Sequence, residues 1–350
     1  MTSKNTIRKF EVGSPSASLA IGDADCDLIF STECDTSPQP RVTIAIPTFN
    51  RPQLLKETLA SAWAQKGFAD YDIIVVDNAS TPENVSAVLA MLREAGKPVR
   101  YYVNTANMGV FRNWNRCLSL ARGEWVSILN DDDLLKPTFL QKMMEQVASN
   151  VDIDAIICRA QILDQRIDEL RSREDVMTLH ARVVAALRFK GAKRIRLTVK
   201  RLFWSNIAGS SLGCLYRRSA IIDLGGFDPE DAPIADYVLN VKLASRGSFV
   251  QFREQLARVR LQVNETMKPD TLKGVLIRNF QLRSQLVADG QVPRRWHYWL
   301  RYLLAHELNA AQVHWHQSPD RNEVARALKI TLPLSKARWM YLTRIIYGGI

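Results

Sequence analysis

The residues best suited to chemistry lie in one run, Trp125-Val126-Ser127-Ile128-Leu129-Asn130-Asp131-Asp132-Asp133. An apolar stretch of buried-strand length ends in three adjacent carboxylates. Neighbouring like charges repel, and folding alone gives no reason to place them together. Hard divalent cations such as Mg²⁺ or Mn²⁺ take carboxylate oxygens and would remove that repulsion. The other reading is a solvated acidic turn that opens a helix, because Asp favours helix N-termini. The run alone leaves both open.

The surrounding elements decide between them. Val42–Ile46, Asp72–Val76, Val99–Val103 and Trp125–Leu129 read as strands, with a fifth at Ala155–Cys158. Pro52 and Pro82 open helices whose apolar stripes run through Leu55 and Leu59, and through Val85, Val88 and Leu92. Further helices fit Val110–Ala121 and Pro137–Ser149. Strand and helix alternate with short connections, which predicts an α/β fold with a mainly parallel sheet and helices on both faces. Ligands of such sheets sit beyond the carboxyl ends of the strands. Thr48, Asn50 and Arg51 follow the first strand, Asp77 and Asn78 the second, Asn107 the third and Asp131–Asp133 the fourth. All fall on one edge, which favours a site over an acidic turn. No G-x-G-x-x-G or G-x-x-x-x-G-K-[ST] is present, so a bound diphosphate would be held through a metal instead of a glycine-rich loop.

These segments resemble family 2 glycosyltransferases of the GT-A (Rossmann-like) fold. Val42-Thr43-Ile44-Ala45-Ile46-Pro47-Thr48-Phe49-Asn50-Arg51 is similar to their opening strand and loop, and Ile74–Ser80 to their second motif. Asn107-Met108-Gly109, Asn115 and Ala121-Arg122-Gly123-Glu124-Trp125 resemble the segment leading to the metal motif, and Leu129–Asp133 the motif itself. The resemblance implies an inverting transferase that uses a nucleoside-diphosphate sugar, most often a UDP-sugar, with Mn²⁺ or Mg²⁺. It gives Asp77 a hydrogen bond from the nucleobase and places Pro47, Thr48, Asn50, Arg51 and Asn107 around the nucleotide. Asp133 becomes the first metal ligand, with Asp131 as a second candidate and Asp131 or Asp132 reaching the ribose or a metal-bound water. Asn130 stands where many relatives carry a further aspartate. In the second half, Gly225-Gly226-Phe227-Asp228-Pro229 resembles a family turn, followed by Ala235-Asp236 where relatives have Glu-Asp. Asp236 is then the expected general base, a role compatible with its place at a helix start.

The chain of 350 residues suits one large domain with an appendage. Residues 1–40 read as a weakly ordered extension, 41–265 as the catalytic domain (41–150 binding nucleotide, 151–265 facing the acceptor), and 266–350 as a helical region. The net charge is +11, and ten basic residues between Arg182 and Arg218 have no acidic neighbour among them. The basic insertion, 181–202, is expected to be helical, near the acceptor side. There it suits the diphosphate of a lipid-linked acceptor or an anionic membrane face. Aromatics interleaved with Arg between 272 and 316 suit packing on the catalytic domain, and 330–350 suits peripheral membrane contact. His297, His306, His314 and His316 lack a Cys or carboxylate at zinc-ligand spacing. Five scattered cysteines, the absence of ~18-residue apolar windows and a polar Met1–Phe10 point to the cytoplasm or its membrane face.

The acceptor is then a glycan or lipid-linked sugar, in surface polysaccharide synthesis, and no nucleic acid is expected. Two rivals remain at this level. A nucleotidyltransferase of similar fold needs a glycine-bearing loop after the first strand, and Thr48–Gln53 has none. A non-catalytic basic binding protein leaves Asp77, Asp131–Asp133 and Asp236 without a purpose.

Overall fold

Strand Val42–Thr48 is buried along its whole length. Val42, Ile44 and Ile46 enter one apolar cluster and Ala45 another, as the two-residue period of a strand requires. Ile73 and Val75 join the first cluster, Ile74 and Val76 the second. The sheet is therefore a middle layer with helices on both faces, which is why its strands read as unbroken apolar runs.

A computed structural model describes residues 25–32, 39–149, 152–164, 191–209, 211–261, 268–315 and 319–333. Its strands are β1 (Cys26–Ser31), β2 (Val42–Thr48), β3 (Tyr71–Asp77), β4 (Arg100–Asn104), β5 (Trp125–Ile128), β6 (Leu134–Leu135), β7 (Ala155–Asp164), β8 (Arg194–Arg196), β9 (Cys214–Arg217) and β10 (Phe249–Leu261). Its helices are α1 (Pro52–Trp63), α2 (Pro82–Ala95), α3 (Val110–Leu120), α4 (Phe139–Ala148), α5 (Val199–Trp204), α6 (Arg218–Asp223), α7 (Ala235–Ser245), α8 (Pro269–Ala288), α9 (Leu300–Trp315) and α10 (Arg321–Leu328). One sheet runs in the order β1-β4-β3-β2-β5-β9-β7-β10-β6, with β8 beside β10. β4, β3, β2 and β5 are parallel neighbours, whereas β9 runs antiparallel to both β5 and β7.

Register fixes the site edge. Thr48 pairs with Asp77, Asp77 with Val103, and the amide of Leu129 donates to Ala45 O at 2.9 Å. The carboxyl ends of four parallel strands thus end in one row. The approach of β5 to β2 needs a glycine at 123, because a Cβ there would lie 2.5 Å from the Thr43 amide nitrogen. The Gly123 N–H donates to the Thr43 hydroxyl at 2.9 Å and closes that contact.

The helical clusters divide by face. α1, α2 and α4 pack on one side through Leu55, Leu59, Val88, Leu92, Phe139 and Met143. α3, α5 and α7 pack on the other, where Leu282, Leu286, Trp296 and Leu303 join them. The rings of Trp204 and Trp296 meet at 4.9 Å. A smaller cluster of Leu272, Leu276, Leu304, Leu308 and Val324 joins α8, α9 and α10 to one another. No helix among the described residues is long and apolar enough to cross a membrane.

The basic insertion departs from expectation in part: its last residues do enter helix α5 from Val199, but a strand precedes them. Arg194–Arg196 is a strand, β8, paired antiparallel with the first residues of β10. That pairing puts it at the edge opposite the aspartates. Three of its arginines bond to the protein: Arg194 donates to the Ser149 hydroxyl at 2.9 Å, Arg196 to Gly247 O at 2.5 Å and Arg201 to Arg196 O at 3.1 Å. At the same edge Arg217 donates to Glu124 at 2.7 Å and Arg218 to Leu118 O at 2.8 Å. Helix periodicity could not foresee β8, because the β10 edge that it completes is about 50 residues away in sequence. Residues 182–190 of the block, and 334–350 of the segment expected at a membrane, lie outside the described residues. No strand was expected before Val42. β1 pairs antiparallel with β4, and its mostly exposed side chains leave no apolar alternation to read.

Candidate active site

The aspartate turn is built by hydrogen bonds from distant parts of the chain. The Asp133 amide donates to Asn130 O at 3.1 Å, which curls the backbone directly after β5. Thr58 on α1 donates to Asp133 O at 2.9 Å. Arg260 on β10 holds the turn from the other side. Its backbone N–H donates to Asp133 Oδ1 at 3.0 Å, its Nε to Asp132 O at 3.0 Å and its Nη2 to Glu57 at 2.5 Å. Asn130 Nδ2 donates to Asp133 Oδ2 at 3.1 Å. A neutral donor at 130 therefore relieves a cluster that a fourth carboxylate would aggravate.

The loop after β2 completes the cluster. Thr48 Oγ1 donates to Asp131 Oδ2 at 2.8 Å, and the Phe49 amide reaches the same oxygen at 3.4 Å. Arg51 Nη1 lies 3.4 Å from Asp131 and 3.1 Å from Asp132. Asp131, Asp132 and Asp133 are all buried. Burial pushes the Asp131 carboxyl up to about 6, against the pull of Thr48 and Arg51. Burial, then the Asp132 charge, pushes Asp133 to about 7. The protein alone thus makes both anions costly near neutral pH, the condition a bound cation reverses.

A second network joins the loops after β2, β3 and β4. Asp77 is 1% exposed, and both its oxygens accept from the protein: Oδ2 from the Tyr101 hydroxyl at 2.8 Å and Oδ1 from the Ser80 amide at 2.7 Å. Each oxygen keeps a further lone pair for a ligand. Asn50 takes a left-handed φ of 55°. Its amide donates to the Ser80 hydroxyl at 2.7 Å, and its Oδ1 accepts from Thr81 and Asn84 at 2.9 and 3.0 Å. Asn107 Oδ1 accepts from Asn78 at 2.9 Å and from the Gly109 amide at 2.9 Å. Asn104 donates to Asn78 and Asn113, and Asn113 to Val76 O at 3.0 Å. Pro47 sits inside β2, paired with Val76.

Asp236 lies elsewhere, in the first turn of α7. It accepts from the Tyr237 amide at 2.8 Å, and burial pushes its carboxyl up to about 6. Its charge acts on Tyr216 of β9. No hydrogen bond or ion pair among the described residues joins it to Asp131–Asp133. Besides the β5–β9 pairing and Arg260, the halves are tied by Asn115 on α3, whose amide makes two 2.8 Å bonds to the Phe227 backbone. Gly225 and Gly226, at φ of 85° and 68°, bend the chain into that position.

The expected site residues thus form two connected groups and one separate carboxylate. Asp131–Asp133, Thr48 and Arg51 form one group; Asp77, Asn50 and Asn107 form the other, and Asn50–Arg51 links them. Tyr101, Asn104, Asn113 and Arg260 went unforeseen. Asn104 and Asn113 had a visible signal, in that asparagine recurs at 104, 107, 113 and 115, from a strand end into a helix start. Arg260 had none, being 127 residues from its partner. Among the described residues no three His, Cys, Asp or Glu side chains converge on one point.

A helix-covered, mainly parallel sheet, with an acidic turn beside the loop after its first parallel strand, has the GT-A architecture. The chain belongs to glycosyl transferase family 2, whose model matches residues 43–225. It is 26% identical over 269 residues to the uncharacterized protein MT1568 of Mycobacterium tuberculosis, covering 73% of this chain and 78% of that one. The abequosyltransferase RfbV of Salmonella typhimurium is 33% identical over 113 residues, 32% of this chain and a third (34%) of its own. The mannosyltransferase PcManGT of Pyrobaculum calidifontis, solved with GDP-Man and Mn²⁺, shares the fold at a TM-score of 0.53 and 20% identity, over 90% of this chain and 86% of that one.

Proposed function

We propose that this glycosyltransferase moves a sugar from a nucleoside-diphosphate donor, UDP-linked in the first instance, to a hydroxyl of a glycan or lipid-linked acceptor, with inversion. Surface polysaccharide synthesis is the setting this reading favours. The observation that carries it is the meeting of the buried aspartate turn with the loop after β2, at the strand ends of a family 2 fold.

Asp77 and the Asn50–Arg51 loop bind the nucleoside in this reading. The Asp77 lone pairs left by Tyr101 and Ser80 accept from the base. Asp133, with Asp131 beside it, holds Mn²⁺ or Mg²⁺. The residues present fit such an ion: two buried carboxylates with raised pKa values supply hard oxygens. A third protein ligand is not needed, since Mg²⁺ in nucleotide sites takes one or two carboxylates and completes its shell with phosphate oxygens and water. When bound, the ion stabilises charge on the departing diphosphate. Asp236 removes the proton of the acceptor hydroxyl as its oxygen bonds to the anomeric carbon and the bond to the diphosphate breaks. A carboxyl near 6 is better matched to that task than one at its ordinary value.

Thermal unfolding with UDP, GDP or dTDP, each with Mn²⁺ or with EDTA, tests the reading. The expected result is Mn²⁺-dependent stabilisation, largest for UDP. Stabilisation by none of the three would overturn it, and a clear preference for GDP would move the donor to the GDP-sugars.

A further inference from the structure

The family match ends at residue 225, and beyond it a pair of helices from the last third of the chain packs on the segment that carries Asp236. Arg283 on α8 is 2% exposed. It makes a two-pronged ion pair with Glu307 on α9, at 3.0 and 2.7 Å. Its guanidinium also lies 5.9 Å from the centre of the Tyr237 ring. Tyr237 is the residue after Asp236, and its amide donates to the Asp236 carboxylate at 2.8 Å. The Tyr237 hydroxyl donates to Leu202 O, which secures the ring on its other side. Five residues before Arg283, Arg278 donates to Glu230 O at 2.7 Å and to Asp231 at 3.1 Å. Asp231 O in turn accepts from the Ile234 amide at 2.9 Å, at the start of α7. The stretch around Asp236 is held just before and just after the carboxylate by two arginines of one helix.

Stability alone does not account for this arrangement. Replacing a buried ion pair by apolar residues of similar size is often neutral or stabilising, so such a pair is weak support for a fold. α8 already has an apolar face on the catalytic side, through Leu282, Leu286 and Val287. The charged contacts fall instead where one side chain has to be aimed.

We propose that α8 and α9 form a brace that positions the Asp236 carboxylate, with Arg283, Glu307 and Arg278 as positioning residues. The helical region is then a working part of the acceptor side. The inference rests on the reading of Asp236 as the base.

The test compares Arg283→Met/Glu307→Leu, Arg278→Met and Asp236→Asn in the full chain. The first pair removes both charges together, so that neither is left buried alone. The probe is hydrolysis of whichever donor turns over fastest among UDP-glucose, UDP-N-acetylglucosamine and GDP-mannose, with water in place of the acceptor. A misplacement of about 1 Å can cost ~100-fold in rate. The expected result is a kcat lowered about 10- to 100-fold in the double variant and about fivefold in Arg278→Met, with donor KM and nucleoside diphosphate binding within twofold of wild type. A folded double variant with unchanged kcat overturns the brace. If the double variant does not fold, unchanged kcat in Arg278→Met overturns it. Should Asp236→Asn keep its turnover, the base reading fails first, and the brace loses its object. A dead Asp236→Asn beside fully active brace variants sinks the brace alone.

Discussion

The two halves of the sheet hold their carboxylates in different ways. Asp77 and Asp131–Asp133 stand at or just beyond the ends of parallel strands, and several of their partners come from other strands of the sheet: Tyr101 on β4, Thr48 on β2, Arg260 on β10. Asp236 stands in the first turn of a helix, bonded to the next amide and flanked by side chains from the last third of the chain. Strand register places the first group, and packing of one helix on others places the second. A sheet edge moves little on binding, which suits recognition of a constant nucleotide. In the reading proposed here, the helix that is held by packing faces the acceptor, and the sheet edge faces the nucleotide.

If that division is right, damage to the two halves separates in assays. The largest effect is expected for Asp236→Asn. Turnover should fall ~10²- to 10⁴-fold, the usual range for a lost general base, while UDP with Mn²⁺ still raises the melting temperature as in wild type. The reverse pattern, with turnover kept and UDP stabilisation lost, would erase the distinction. Next comes Asn115→Ala, which cuts one tie between the halves and leaves the Phe227 N–H and C=O buried without partners. Each such group costs ~1–3 kcal/mol, so denaturant unfolding should show a loss of about 3 kcal/mol. A loss below about 1 kcal/mol would mean that the shared sheet and apolar packing hold the halves together without this pair. Smaller again is Arg260→Lys, which keeps the backbone bond to Asp133 but loses the Nε bond to Asp132 O and the Nη2 contact with the more exposed Glu57. The expected outcome is a roughly tenfold weaker UDP affinity in Mn²⁺ by calorimetry, from a bond of ~1.5 kcal/mol, with kcat little changed.

The same contrast explains what could be read in advance. β2, β3 and β5 announce themselves because each is buried on both faces and closed by a polar cluster, and β4, partly buried, follows the same pattern. Pro52 and Pro82 mark helix starts by chemistry local to the chain. The aspartate turn, Thr48, Arg51 and Asp77 follow from that pattern. β8 does not, because three residues of mixed polarity become a strand only when β10 is there to pair with them. Arg260 sits in a strand whose accessible residues include Arg253, Glu254 and Arg258, and nothing local distinguishes the arginine that grips the turn. Arg283 resembles any basic residue on a long helix until α9 supplies Glu307. Contacts between neighbouring elements leave periodic traces; a single side chain arriving from 100 residues away leaves none.

The finest test uses pH. The Asp131 and Asp133 carboxyls stand at about 6 and about 7, raised first by burial, and Asp236 at about 6 for the same cause. Their ordinary value is 3.8. Between roughly pH 4 and 7 the folded chain therefore holds more protons than the unfolded chain, and stability falls as pH rises through that window. In EDTA the melting temperature should drop from pH 5 to pH 8. The two halves should then part when Mn²⁺ and UDP are added. Ligation of Asp133 cancels its share of the slope, so wild type and Asp236→Asn should both show a flatter profile with ligand than without. Asp133→Asn should have a shallower slope from the start, and Mn²⁺ should leave it unchanged. If Mn²⁺ flattened the Asp133→Asn profile as much as that of wild type, the ion would be bound by other groups, and the role given to the turn after β5 would pass to them.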